Sequence, residues 1–131
     1  MRGQRRLLVL TFLGGSLGTV AELLLMAHTD GPWQKAPVGL LAAGCLALLV
    51  HVSAPREAMR RAFLGLMVVF ATIGVAGGVL HSNGNLEFAT ELDPGMSGGA
   101  LLREVMTGAT PVLAPGTMVL LAAVGWACVR K

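Results

Sequence analysis

The sequence has no tyrosine, few aromatic residues (5%) and few charges (13%). The shortage of charge is the most restrictive of these. Soluble domains carry roughly a quarter charged residues, and a small domain leaves much of its surface in water. A chain of 131 residues that is 54% hydrophobic cannot hide that much apolar surface within itself, so lipid is its solvent. The missing tyrosine, with no basic patch interleaved by aromatics, excludes nucleic-acid recognition despite a formal charge of +3. The two cysteines, Cys45 and Cys128, lie singly in apolar runs. With no CxxC pair there is no zinc ribbon or thioredoxin motif, and both read as small core residues. There is no phosphate-binding G-x-x-x-x-G-K-[ST] loop and no EF-hand loop. Ser97-Gly98-Gly99 does not make a G-x-S-x-G nucleophile elbow.

What remains is a series of apolar runs. Leu7 to Ala27 follows three arginines and contains one charge, Glu22. It is long enough to cross a hydrocarbon core of ~30 Å. A cleaved signal peptide shares this beginning, with Thr19-Val20-Ala21 as a loose cleavage site. The run continues through Leu23, Leu24, Leu25 and Met26, however, which favours a retained span. A link follows, with Asp30-Gly31-Pro32 as a turn and Trp33 as a headgroup-level anchor. Pro37 is expected to open the second span, Val38 to Ser53. The third, Ala62 to Leu80, is expected to stop at His81, with Asn83-Gly84 as terminator. The fourth opens at Thr110-Pro111 and ends at Val129, with Pro115 placed to bend it.

These runs predict an all-α integral membrane protein, a single domain over residues 1–131. It is a four-transmembrane-helix bundle with spans at about 7–27, 38–53, 62–80 and 111–129. A short, partly helical extracytoplasmic cap, 82–110, joins helices 3 and 4. In it, Asn85 caps two helical turns to Leu92, and Asp93-Pro94-Gly95-Met96 is a tight turn. Ser97 caps a second helix that Gly108 ends after Thr107.

The basic residues set the orientation. Arg2, Arg5, Arg6, Arg56, Arg60, Arg61, Arg130 and Lys131 fall on one side, Lys35 and Arg103 on the other. Positive residues favour the cytoplasm, so both termini are expected inside a cell (inner) membrane. Loss of the first span would leave the same sidedness.

Glu22 is the one carboxylate within a span and is expensive there unless paired, protonated or turned inward. His28 and His81 end the first and third spans at the same outer face. His51 lies ~20 Å deeper. Glu22, His28, His81, Glu87 and Glu91 therefore form a candidate set for a divalent metal ion or a proton pathway. The plain alternatives are a protonated Glu22 bonded to a neighbouring helix, interfacial histidines with ordinary partners, and a solvated acidic loop. A bis-histidine haem would have only His28 and His81 at matching depth, both at the water boundary. Gly14/Gly18 and Gly74/Gly78 have the four-residue spacing that lets helix backbones approach, within the chain, in a homo-oligomer or in a larger membrane complex.

Small size, glycine-rich faces and the lack of a catalytic signature favour a non-enzymatic accessory or structural component of a membrane complex. The alternatives are a small cation or proton transporter with an outer-face His/Glu site, and an outer-face metal-dependent intramembrane enzyme.

Overall fold

The structure, a computed structural model, describes residues 2–25, 31–110 and 112–130, without the side chains of Arg2, Trp33, Leu113 and Ala114. His28 lies outside the described residues. Among those described the chain is all-helical, 88% in helix with no strand. The helices are α1 (Arg2–Leu25), α2 (Pro32–Ser53), α3 (Glu57–Leu92), α4 (Gly98–Thr107) and α5 (Leu113–Val129). Three stretches, Gly3–Leu25, Gln34–Ser53 and Glu57–Leu92, are long and apolar enough to cross a membrane. The apolar stretch Pro115–Val129 is shorter.

Helices α2 and α3 differ from the sequence expectation at their boundaries. Helix α2 starts at Pro32, not after Pro37. Gly31 is its extended N-cap, and its carbonyl accepts from the amides of Gln34 (3.2 Å) and Lys35 (3.1 Å). Pro32 thus takes the first-turn position that suits a residue without an N–H. Pro37 sits inside the helix and removes one backbone hydrogen bond. Helix α3 runs unbroken through Asn83-Gly84 to Leu92. Asn85 does not cap a new helix there, because its side chain is bonded to the backbone of Val105 in α4 and of Thr110 just beyond it. Residues 82–92, expected in the cap, are the last turns of α3. Beyond them the amide of Met96 donates to the carbonyl of Asp93 at 3.0 Å, closing a turn. Ser97 is the extended N-cap residue of α4 but makes no side-chain cap bond, and Gly98 has φ +60°, a conformation favoured only by glycine.

The chain forms two compact units, one of Met1–Ala71 with Leu120–Lys131 and one of Thr72–Val119. The core of the first is a phenylalanine cluster. Phe12 of α1 meets Phe63 edge-on, with centroids 5.5 Å apart, and stacks on Phe70 at 6.2 Å. Phe63, Met67 and Phe70 recur at helical spacing on α3, as Leu41, Gly44, Leu48 and His51 do on α2. Each helix therefore buries one stripe. The stripes are marked by aromatic and small residues, not by a switch from apolar to polar. The opposite faces carry Leu7, Leu10, Leu17, Leu46, Val68 and Val69, all exposed. A helix apolar on all sides is the composition expected where the surrounding solvent is lipid.

The second unit buries Gly74, Asn85, Ala89 and Met118. A methyl group on Gly74 would stand 2.8 Å from the Pro115 carbonyl oxygen and 2.8 Å from Val119 Cγ2. Glycine there lets α3 and α5 pack backbone to backbone.

Candidate functional site

The glycines divide into two groups. Methyl groups on Gly15, Gly44 or Gly125 would collide with Leu121, with Phe70, and with Met67 and Phe12 respectively. These glycines close the interior of the first unit, and Gly74 closes that of the second. Gly78 is peripheral to it, with only the Val112 carbonyl oxygen at 4.0 Å. Gly14 and Gly18 differ: a methyl group on either would meet nothing within 4 Å. Both are exposed, and so is Glu22. Residues four apart share a helix face, so Gly14, Gly18 and Glu22 make a flat track ending in a carboxylate. Leu10 and Leu17 flank it and are also exposed. Glu22 has no hydrogen bond or ion pair among the described residues. The sequence marked this spacing as packing chemistry, and within the described residues nothing packs on it.

The remaining residues of the candidate metal set lie on α3. His81 is half-buried and has an interaction partner, while Glu87 and Glu91 are exposed. The last two share a face, being four apart. His81 does not share it with Glu87: six residues of helix turn it by about 120°. The unbroken α3 sets this angle, which a loop after His81 would have left free. Among the described residues no group of three or more His, Cys, Asp or Glu side chains comes together to hold a metal ion.

One polar residue, read in the sequence only as a helix cap, has a different role. Asn85 is buried, and all four bonds of its amide are made within the second unit. Its Nδ2 donates to the carbonyls of Val105 (2.9 Å) and Thr110 (2.7 Å). Its Oδ1 accepts from the Thr110 amide (3.1 Å) and the Thr110 hydroxyl (2.9 Å). Gly108 lies against this side chain: a methyl group on it would stand 3.1 Å from Asn85 Cγ and 2.7 Å from the Glu104 carbonyl oxygen. Its φ of −66° is open to any residue, so close approach, not a left-handed turn, is what calls for glycine here. The arrangement fastens the end of α4 to α3. Every donor and acceptor of the amide is used, which makes Asn85 a structural residue.

No known protein family, curated protein or solved structure matches this chain.

Proposed function

We propose that the chain is a small polytopic membrane protein that works without enzymatic chemistry, as an accessory or structural component of a membrane complex. It crosses the bilayer four times with both termini in the cytoplasm. Helix α5 counts as the fourth crossing: its 17 residues reach about 25 Å, within the range of short transmembrane helices. The sidedness rests on the eight-to-two division of basic residues.

The observation that carries the role is the open track of Gly14, Gly18 and Glu22. Small residues four apart on a membrane helix are the feature by which helices associate, through close backbone contact. A carboxylate on the same face is costly against lipid, by about 2.5–3.5 kcal/mol at a helix centre on insertion scales and by less toward a helix end such as that of Glu22. A transmembrane helix of another polypeptide laid along the track would fill the surface over the glycines. A hydroxyl, amide or basic side chain on it would bond Glu22.

The test is purification of the full chain from its native membrane in a mild detergent. The reading expects a discrete assembly larger than the lone chain. Gly14→Leu/Gly18→Leu should release the chain from it while leaving the helix content unchanged. A monodisperse lone chain in the unaltered protein, or an assembly indifferent to both substitutions, would contradict the reading.

A further inference from the structure

The basic residues that set the sidedness do more than flank the spans. In the first unit Arg5, His51, Arg56, Glu57, Arg60 and Arg130 line one half-open cleft of about 350 Å³. It brings together the start of α1, the end of α2, the start of α3 and the residue after α5. Four guanidinium groups face a single carboxylate. That carboxylate is already engaged: Glu57 accepts from Arg60 Nε at 2.9 Å and Nη2 at 2.7 Å, and from Arg61 Nε at 3.3 Å. Arg5 is fixed by its Nε, which donates to the Cys128 carbonyl at 3.2 Å. This bond satisfies a carbonyl at the α5 C-terminus, where a cation is favoured. It leaves the two terminal nitrogens of Arg5 without a partner among the described residues. The side chains of Arg56 and Arg130 make no hydrogen bond or ion pair there.

A second, independent observation points the same way. His51 lines the cleft and is only 5% exposed, yet its Nδ1 is buried with no hydrogen-bond partner among the described residues. Buried polar atoms are nearly always paired, and an orphan calls for a missing ligand or water. The sequence treated His51 as remote from the other histidines and left it without a role.

We propose that this cleft binds a phosphate group. Arginine forks match phosphate oxygens bidentately, and the His51 ring, turned so that an N–H meets the cleft, would donate to the same anion. A chloride ion would use few of these donors. A second cleft, of about 320 Å³, shares Arg5 and has Val9, Leu10 and Val52 among its walls. An apolar cleft adjoining a basic one is the form of a site for the headgroup phosphate and upper acyl chain of an anionic phospholipid. A free phosphate would use the basic cleft alone. The inference is independent of the α1 track, and needs the membrane reading only for the lipid as source.

The experiment uses the full chain, delipidated in a non-ionic detergent, with two probes. One is phosphatidylglycerol against phosphatidylcholine, with bound lipids counted by native mass spectrometry. The other is inorganic phosphate against chloride at equal ionic strength, read by thermal shift. Retention of phosphatidylglycerol over phosphatidylcholine by about tenfold, with little response to phosphate, identifies the headgroup as the ligand. Response to inorganic phosphate without lipid selectivity identifies a soluble phosphate. Either supports the site, and so does response to both. Arg56→Gln/Arg130→Gln should lower the responding affinity about tenfold; both residues are exposed, so folding is not at risk. His51→Phe should lower it while keeping a planar ring at this position. Arg61→Gln removes one charge beside the cleft, half of what the double substitution removes, and should leave binding unchanged. The proposal is overturned if neither probe binds better than its control. It is equally overturned if Arg61→Gln weakens binding as much as the double substitution.

Discussion

Asn85 and Thr110, 25 residues apart in sequence, are joined by three hydrogen bonds, two accepted by Asn85 Oδ1 and one donated by its Nδ2. A fourth runs from Nδ2 to the Val105 carbonyl. Replacing Asn85 by Ala takes the partner from two part-buried carbonyls, an amide and a hydroxyl, at roughly 1–3 kcal/mol per buried orphan. Asn85→Ala should therefore destabilise the protein by about 3 kcal/mol or more. Thr110→Val removes only the hydroxyl bond and should cost about 1 kcal/mol. Reversible unfolding in mixed micelles measures both. Equal costs for the two substitutions would show that the amide does not organise this region.

The division of the glycines predicts opposite outcomes for like substitutions. Gly74→Ala meets a backbone carbonyl that no side-chain rotation can move. It should destabilise by about 1–3 kcal/mol, the usual cost of overpacking. Gly14→Ala and Gly18→Ala meet nothing and should leave unfolding of the isolated chain within about 0.5 kcal/mol of the parent. They should weaken only association. A Gly18→Ala chain that unfolds as easily as Gly74→Ala would mean that α1 packs inward through this track.

Ser16 is fully buried in α1, and its hydroxyl has no hydrogen-bond partner among the described residues. An unpaired buried hydroxyl destabilises the fold, so Ser16→Ala should be neutral or stabilising by up to about 1 kcal/mol. The same unfolding measurement decides it. A loss of more than about 1 kcal/mol would reveal a partner for the hydroxyl.

These residues also show what could be read in the sequence and what could not. Length and apolarity made the helical class legible, because a run such as Leu7 to Ala27 allows little else. The inward faces were not legible. Leu10 and Phe12 are alike in hydropathy, yet one is exposed and the other buried. In a chain solvated by lipid, polarity does not separate core from surface. The spacing of Gly14/Gly18 and Gly74/Gly78 was visible, but only the structure tells that Gly74 is tightly packed and that Gly14 and Gly18 are open. Asn83-Gly84 was read as a stop because the local signal is strong. The four bonds of Asn85 hold α3 helical past it, and they depend on residues 20 and 25 positions away. The clustering of Arg5, His51 and Arg130 likewise joins chain segments that no local pattern links.

Sidedness has its own check. With Cys45 and Cys128 replaced by Ala, single cysteines at Ser97 and Arg61 report the two faces. A membrane-impermeant maleimide applied to intact cells should label Ser97→Cys and spare Arg61→Cys, reversing only the second result on permeabilisation. Labelling of Arg61→Cys in intact cells would contradict the four-span orientation.

The central claim is that the Gly14–Gly18–Glu22 face of α1 meets a helix of another polypeptide. A photocrosslinking residue placed at Leu17, beside the track, tests it within the native membrane. Leu46, on α2, is equally exposed, at 65% against 64%, and serves as the control. The account predicts a discrete protein adduct from Leu17 that Gly14→Leu/Gly18→Leu abolishes, and only lipid adducts from Leu46. No protein adduct from Leu17, or the same adducts from both positions, would contradict it.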